Sequence, residues 1–204
     1  MAHALRERSP DLGSALFLSA RRETGILRMQ TTDLTKAQRT EVAGIAFRAF
    51  SHYGDAARMN VCEDLSAMLS SPARLQVSGP MYLAFDRSTL RILGFAVNSQ
   101  LQLARGTAAV EFAGDAIDPD FQGIGLYSSL TRIRIMDAME AGRMRILFAT
   151  INPIVEGTVI RCLERFRGQG AILDFETSVV PLGHRPETLT EISIIKGAGR
   201  VRRP

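Results

Sequence analysis

The sequence predicts an α/β fold (α+β) in one domain, and three observations support this prediction. Apolar runs of strand length alternate with apolar positions at helical spacing along most of the chain. The 204 residues fit one or two domains, and a single core is the simpler case. Hydrophobic residues make up 46% of the chain, so a sizeable core can form. We expect the domain at residues 26–196, after an extension over 1–25 that we expect to be flexible and before a basic tail over 197–204.

The first half of the domain is predicted to hold three strands and two helices. The strands are expected over residues 26–31, 81–85 and 90–97, the last two forming a hairpin around positions 86–88. Asp33 or Thr35 is the expected cap of a helix that runs to residue 50, with Val42 and Ile45 on its apolar side. A second helix is expected over residues 62–70.

The second half is predicted to alternate strands and helices. The strands are expected over residues 108–117, 145–151, 171–180 and 190–196. Between the first two, Tyr127, Leu130, Ile133 and Met136 recur at helical spacing, and Gly142 is a suitable stop. After the second strand, the pair at positions 152 and 153 is Asn-Pro, a cap followed by an N1 proline, which predicts another helix.

A glycine-rich turn joins the predicted strand 108–117 to its helix, within the stretch IDPDFQGIGLYSSL at residues 117–130. Backbone N–H groups of a new helix point outward at such a turn, and Gly123 and Gly125 would let a phosphate come close. A relaxed turn without a ligand is the alternative. A dinucleotide loop is excluded, because the third glycine of GxGxxG would be Ser128, and the sequence contains no P-loop pattern.

This stretch resembles the acyl-CoA motif of the GNAT superfamily of N-acetyltransferases. Tyr127 stands where that motif has a small residue, and the matching residues are Ile117, Pro119, Gln122, Gly123 and Gly125. The order of predicted elements is also similar to that family over residues 26–196. The resemblance implies a mixed central sheet of about six to seven strands flanked by about four helices.

The resemblance further implies a binding site for acetyl-CoA or another acyl-CoA as acyl donor. The strands at 108–117 and 145–151 would splay apart and admit the pantetheine arm, whose amides would pair with the backbone of Ala116, Ile117 and Asp118. The pyrophosphate would lie over the turn, against Gln122, Gly123, Ile124, Gly125, Leu126 and Tyr127.

Two carboxylates on the motif strand are candidates for catalysis. Glu111 lies where some GNAT members carry a catalytic glutamate, and desolvation on an apolar strand would raise its pKa toward that of a useful general base. A glutamate paired with an arginine is the alternative. Asp115 would share its strand face by period two, and could bind a cationic amine or share the role of base.

The general acid expected from the resemblance is missing. Family members often place a tyrosine in the helix after the second splayed strand, and Leu163 stands at that position. Cys162 is adjacent but points about 100° away on a helix. Tyr127 or water would then protonate the thiolate, or the thiolate would leave without an acid.

The remaining reactive side chains give weaker signals. His52 and Tyr53 lie in an irregular segment that lines the acceptor side in the family, so we expect them there or at the surface. Three dispersed histidines predict no metal site. Cys62 and Cys162 lie far apart without ligand spacing and are expected to be reduced thiols in a cytoplasmic protein.

Charge and hydropathy argue against two further classes. The formal net charge is +4, but it lies in the ends of the chain, and a basic patch with interleaved aromatics is absent, so nucleic-acid binding is not expected. No apolar run approaches the roughly 18 residues that a membrane span needs, so a membrane-spanning segment is not expected.

The resemblance implies transfer of an acyl group, most simply acetyl, to a primary amine of a small molecule or peptide in a ternary complex. Residues 47–54 and 167–170 are also similar to short segments of the nodulation N-acyltransferases. That similarity keeps a longer acyl chain, carried on CoA or acyl carrier protein, as an alternative. A catalytically silent CoA-binding domain is a second alternative, and a homodimer is compatible with either.

Overall fold

The computed structural model describes residues 24–53, 59, 63, 65, 79–102, 108–150, 152–181 and 188–197, with backbone alone at 52, 53, 102, 180, 181 and 188. Its strands are β1 (Thr24–Gln30), β2 (Pro80–Asp86), β3 (Ile92–Gln102), β4 (Ala108–Ile117), β5 (Arg145–Thr150), β6 (Ile172–Pro181) and β7 (Thr188–Lys196). Its α-helices are α1 (Lys36–Ala49), α2 (Leu126–Glu140) and α3 (Pro153–Gly168).

These bounds follow the predicted elements closely. β1 begins two residues before the predicted domain boundary, and β3 extends five residues beyond its predicted end. The predicted helix over 62–70, with Cys62, lies outside the described residues, except for positions 63 and 65, which are helical. The predicted extension and tail lie outside as well, except at positions 24, 25 and 197.

The seven strands form one mixed sheet in the order β1-β2-β3-β4-β5-β7-β6. Neighbouring strands are antiparallel, except that β4 and β5 run parallel. Parallel neighbours need a crossover, and α2 supplies it. The predicted fold class is therefore confirmed.

Helix α1 begins at a capping box and covers one face of the sheet. The Thr35 hydroxyl accepts from the Gln38 N–H at 3.2 Å, and the Gln38 side chain accepts from the Thr35 N–H at 2.9 Å. Of the two predicted caps, Thr35 is thus the one used. Buried Val42 and Ile45 pack with alternate residues of β2 and β3 in one apolar cluster.

Helices α2 and α3 cover the opposite face. The alternate residues of β2 and β3, including Tyr82 and Leu93, pack with Leu126 and Leu130 of α2. A third cluster joins α2, α3 and the strands β4 to β7, with Phe166 fully buried in α3. The register of the sheet between these layers shifts in three described strand pairs, β2-β3, β3-β4 and β6-β7, and the shift between β3 and β4 lies next to the edge where β4 leaves β5.

Strand β4 carries an extra residue at Ala113. Val97 of β3 pairs with Gly114, and the next residue, Asn98, pairs with Phe112, so Ala113 has no partner in the ladder. On its other edge, β4 pairs with β5 at only two positions, through Val110 and Glu111. A bulge bends its strand and increases the local twist. The two parallel strands consequently separate beyond Glu111, which confirms the splay implied by the sequence.

Candidate active site

The separation of β4 and β5 opens a cavity of about 670 Å³ between the two strands. Its floor is mostly apolar and includes Phe112 from β4 and Phe148 from β5, whose ring centroids lie 6.5 Å apart. An added Cβ at Gly114 of β4 would meet no atom within 4 Å, so the strand borders open space there. The cavity is large enough for an extended ligand.

The glycine turn forms one end of this cavity. Gly123 and Gly125 have φ angles of +77° and +86°, which favour glycine, and Gly125 is the residue before the first turn of α2. The Gln122 side chain donates to the Ile117 carbonyl at 3.4 Å and so ties the turn to the end of β4. Of the residues expected to contact the donor, the ones that line the cavity are Ala116, Ile117, Gln122, Gly123, Gly125, Leu126 and Tyr127.

Tyr127 packs under the turn. Its ring contacts the cluster around Leu126 and Leu130, and its hydroxyl donates to the Asp115 carboxylate at 3.4 Å. Burial, and then the charge of Asp115, raises the pKa of the phenol well above its usual value. Tyr127 therefore remains protonated. Its ring, at the position where the motif has a small residue, fills the space between β4 and α2.

Asp118 lies at the end of β4 and is occupied by contacts within the protein. Its N–H donates to the Leu93 carbonyl at 2.9 Å. Its carboxylate, 1% exposed, accepts from Arg48 at 2.8 Å and from Arg91 at 2.9 Å. Burial raises its pKa, but hydrogen bonds from Arg48, from the Asp120 N–H and from Arg91 outweigh burial and lower it.

Beyond the bulge, the backbone groups of β4 are divided between β3 and the gap. Along a strand, backbone groups of successive residues point to opposite edges. Because Asp118 uses its N–H toward β3, Ala116 does the same by alternation, and Asp115 and Ile117 turn their backbone groups toward the gap. Asp118 and Ile124 are also absent from the described lining of the cavity. The backbone groups that face the gap thus belong to Asp115 and Ile117, while the expected donor contacts of Ala116 and Asp118 stay a prediction.

Glu111 stands at the last rung where β4 pairs with β5, next to Phe112 of the cavity wall, and is not itself among the residues that line the cavity. Its side chain is half-buried and makes no hydrogen bond or ion pair with any other described residue. Burial raises the pKa of this carboxyl, as expected from the sequence. The alternative of a glutamate paired with an arginine finds no partner among the described side chains.

The prediction that Glu111 and Asp115 share a strand face is wrong, because the bulge at Ala113 reverses the alternation. Before the bulge, Val110 and Phe112 face α2 and α3, so Glu111 points to the side of α1. After the bulge, Asp115 faces α2, where it forms an ion pair with Arg134. The two carboxylates lie on opposite faces of the sheet.

The side chains around the expected acid position are buried and apolar. Leu163 is fully buried in the cluster between α3 and the sheet, so it offers no proton. Burial raises the pKa of the neighbouring Cys162 thiol, which lies 3.9 Å from the Ser128 hydroxyl. A protonated, 3% exposed thiol is a poor nucleophile.

The comparisons with known proteins find resemblance in structure alone. No family model and no curated protein matches the chain. A candidate GNAT acetyltransferase from Desulfovibrio desulfuricans matches with a TM-score of 0.52 and 14% identity, over 84% of this chain and 98% of that one. The chain has the GNAT acetyltransferase fold.

Two further solved structures with this fold show how widely its sequences vary. A candidate arylalkylamine N-acetyltransferase 7 from Aedes aegypti has a TM-score of 0.55 at 12% identity, covering 83% of this chain and 86% of its own. The ribosomal-protein-S5-alanine acetyltransferase from Vibrio fischeri has a TM-score of 0.50 at 14% identity, covering 91% and 97%. Such identities establish the fold and leave the reaction to the site.

The N-terminus of α3 also contributes to the site, although it is not among the site residues predicted from the sequence. Asn152 caps this helix by accepting from the Ile154 N–H at 2.9 Å, and both residues line the cavity with Val155 and Thr158. The Asn-Pro pair after a predicted strand was the available signal. The N-termini of α2 and α3 both meet the cavity, and their dipoles favour an anion.

The other sequence-predicted residues give fewer facts. His52 and Tyr53 lie in the 3-10 turn Phe50–Tyr53, and their side chains fall outside the described residues. The preceding Ala49 and Phe50 line the cavity on the α1 side. Among the described residues, no cluster of three His, Cys, Asp or Glu side chains has the arrangement of a metal site. No helix in the described ranges is long and apolar enough to cross a membrane.

Proposed function

We propose that this protein is an acyl-CoA-dependent N-acyltransferase that moves an acyl group, most simply acetyl, to a primary amine in a ternary complex. The observation that carries the proposal is the gap beyond Glu111, where β4 and β5 cease to pair and a glycine turn closes one end. The GNAT fold supports it, because the structures with this fold are described as acetyltransferases.

The residues around the cavity fit an extended acyl-CoA. The backbone N–H groups after Gly123 and Gly125, at the start of α2, would hold the pyrophosphate. The backbone of Asp115 and Ile117 would pair with the pantetheine amides across the gap left by β5. The apolar floor of Phe112 and Phe148 would exclude water from the thioester end. When bound, acyl-CoA supplies an activated carbonyl.

Glu111 is proposed as the general base. It stands at the vertex of the gap, points to the α1 side, and lacks a neutralising partner among the described side chains. A desolvated carboxylate with a raised pKa accepts a proton near neutral pH more readily than an exposed one. Glu111 would accept the amine proton directly or through one water as the C–N bond forms.

The proton for the departing sulfur is proposed to come from water. Tyr127 donates its hydroxyl to Asp115, and Leu163 occupies the position of the expected tyrosine. A thiol is a stronger acid than an alkylammonium ion, with reference pKa values near 8.5 for Cys and 10.4 for Lys, so a thiolate is a better leaving group than an amine. The C–S bond would therefore break toward a thiolate that needs little assistance, while the amide nitrogen stays acylated.

The acceptor is proposed to approach from the α1 side of the gap, where Ala49 and Phe50 line the cavity. A small-molecule amine and a peptide amine both remain candidates. The Aedes aegypti and Vibrio fischeri structures illustrate one of each by their names. An acyl carrier protein as donor, a cytoplasmic location and a homodimer also remain proposals.

Binding of acyl-CoA tests the proposal directly. Titration of the purified chain with acetyl-CoA, followed by calorimetry and thermal shift, should give saturable heat and a higher melting temperature. The variant Gly125→Asp should lose both, because a carboxylate at the turn repels the phosphates. Wild-type protein that binds neither acetyl-CoA nor a longer acyl-CoA would contradict the proposal.

Two controls separate charge from backbone strain. Gly125→Asn is nearly isosteric with the aspartate and tolerates a positive φ, so it should bind acetyl-CoA more tightly than Gly125→Asp. Gly142→Asp places the same strain at φ +72°, after α2 and away from the described cavity lining, and should retain wild-type binding. Comparing acetyl-CoA with longer acyl chains in the same assay distinguishes the acyl donor.

A further inference from the structure

Arg134 of α2 is a fully buried arginine, with 0% of its side chain exposed. A charge inside the core is costly unless each of its donors is paired. Replacing buried ion pairs by apolar side chains of similar volume is often neutral or stabilising. The stability of this core therefore gives no clear reason for an arginine here, and its contacts suggest another role.

Every nitrogen of this guanidinium has a partner near the bulge of β4. Nε donates to the Asn98 side-chain oxygen at 2.7 Å, and Nη2 donates to the Val97 carbonyl at 2.8 Å. Nη1 forms the ion pair with Asp115. The guanidinium carbon also lies 3.9 Å from the centre of the Phe112 ring.

These partners surround the unpaired Ala113. Val97 and Asn98 are the β3 residues between which the register shifts, while Phe112 and Asp115 flank the bulge on β4. A guanidinium is planar and rigid, with its donors in a fixed fork. One rigid group thus holds β3 and β4 in the shifted register, at the point where β4 leaves β5.

A buried chain of hydrogen bonds fixes the other side of Asn98. The Asn98 amide donates to the Tyr82 hydroxyl at 3.4 Å, and Tyr82 donates to Asp137 at 2.8 Å. Asp137 also pairs with Arg28 of β1. Burial, followed by the charge of Asp137, raises the pKa of Tyr82, which therefore remains a donor. Asn98 is held with its oxygen toward Arg134.

We propose that Arg134 is a positioning residue that holds the β4 bulge and thereby sets the gap into which the acyl donor binds. It acts through the strand and through Asp115, which it fixes on the cavity wall beneath Tyr127. This inference rests on the proposed function in one respect, namely that the gap receives acyl-CoA. The effect on the bulge itself does not depend on any ligand.

The variant Arg134→Lys tests this role. Lysine keeps the charge beside Asp115, but a single ammonium cannot reproduce the fork that spans Val97, Asn98 and Asp115. Amide hydrogen exchange over β4 in the ligand-free protein should become faster by about tenfold or more. Acetyl-CoA affinity, measured by calorimetry, should fall by about 10- to 100-fold, since the loss of one or two hydrogen bonds to the donor has an effect of that size.

Arg143→Lys is the matched control. Arg143 also bridges β3 and β4, because it donates to the Gln100 side chain at 2.8 Å and to the Ala109 carbonyl at 3.3 Å. These contacts lie before the bulge of β4 rather than around it. Arg143→Lys should change neither acetyl-CoA affinity nor exchange at positions 113–117 by more than about twofold. A merely structural role for the fully buried Arg134 predicts faster exchange over the whole sheet, in step with a lower free energy of unfolding, and unchanged acetyl-CoA affinity of the folded protein.

A second pair of variants covers a folding failure of Arg134→Lys. Arg134→Met combined with Asp115→Asn removes both charges, so no unpaired charge is left buried. If that double variant melts like wild type but exchanges faster at β4 and binds acetyl-CoA more weakly than Asp115→Asn alone, the proposal holds.

Two results for Arg134→Lys would overturn the proposal. One is wild-type exchange with wild-type affinity, and the other is faster exchange with unchanged affinity. Absence of acetyl-CoA binding in wild type would contradict the proposed function alone, and the exchange comparison would still decide the role at the bulge.

Discussion

The two halves of β4 are built from similar residues but have different surroundings. The half of β4 before the bulge, here called the paired half, contains the two residues that pair with both neighbours, Val110 and Glu111. In this part of the strand Ala109 and Val110 are buried, with 0% and 2% exposure. From Gly114 to Ile117, here called the unpaired half, the strand pairs with β3 but not with β5. Its other edge borders the cavity. One inserted residue, Ala113, separates the half that pairs with β5 from the half that borders the cavity.

Two arginines, Arg143 and Arg134, connect β3 to the two halves of β4 in different ways. Arg143 joins β3 to the paired half and is half-buried, whereas Arg134 is fully buried and joins β3 to the unpaired half through three partners. A regular ladder needs little support because its own hydrogen bonds fix the register. At the bulge the regular ladder is interrupted, and the Arg134 side chain donates there to the Val97 carbonyl.

The largest expected effect concerns the carboxylate at the boundary of the two halves. Glu111→Gln preserves size but removes the proposed base, so turnover should fall by about 10²- to 10⁴-fold at neutral pH, with acetyl-CoA affinity unchanged. Much of the loss should return as pH rises toward the amine pKa of about 10, since the acceptor then loses its proton unaided. A pH–rate profile with an amine acceptor measures both.

Asp115→Asn sharpens this comparison, since Asp115 lies in the unpaired half and on the opposite face of the sheet. It leaves Arg134 without its anionic partner, so acetyl-CoA affinity should weaken while the shape of the pH–rate profile persists. If Glu111→Gln instead kept the wild-type rate at neutral pH, Glu111 would be structural, and Asp115 or water would become the better candidate for the base.

Adding a side chain to each half should give opposite results. Gly114→Leu enters open space, so the protein should melt near the wild-type temperature and lose acetyl-CoA affinity by about 10²-fold because the gap is filled. Ala109→Leu enters a packed core and should lower the free energy of unfolding by about 1–3 kcal/mol. Its affinity, measured while folded, should remain near wild type. Equal loss of affinity in both would contradict the division of β4.

A smaller effect is expected at the end of the unpaired half. Asp118→Asn weakens the contacts with Arg48 and Arg91, and should lower the free energy of unfolding by about 1–3 kcal/mol at pH 7. Because the pKa of Asp118 is lowered in the folded state, its contribution is complete above the ordinary value near 3.8. Urea unfolding should show the difference between wild type and variant shrinking as pH falls below about 4. A difference that grows under acid would contradict this assignment.

The sequence predicted the elements well because local signals determine them. The bounds of β4 were predicted to the residue, and the cap-and-proline start of α3 and the glycine turn were both confirmed. The face of Asp115 was predicted wrongly, because Ala113 resembles any other strand residue and its bulge depends on the register of β3. Arg134 was missed for a related reason, since a charge at an apolar position of a helix becomes informative only when its partners on other strands are known.

The smallest expected effect is a gain in stability from Glu111→Gln. Burial raises the pKa of Glu111, and the folded state therefore loses stability relative to the glutamine variant as pH rises above the ordinary value of 4.5. At pH 7 the variant should be more stable by less than about 1 kcal/mol, and near pH 4 the two should coincide. Urea unfolding at both pH values measures this, with Glu176→Gln on the exposed side of β6 as the control for losing a charge. If the Glu111→Gln variant had a lower free energy of unfolding than wild type at pH 7, the carboxylate would stabilise the folded protein. Glu111 would then have a structural reason to be present, and the argument for a general base at this position would lose this support.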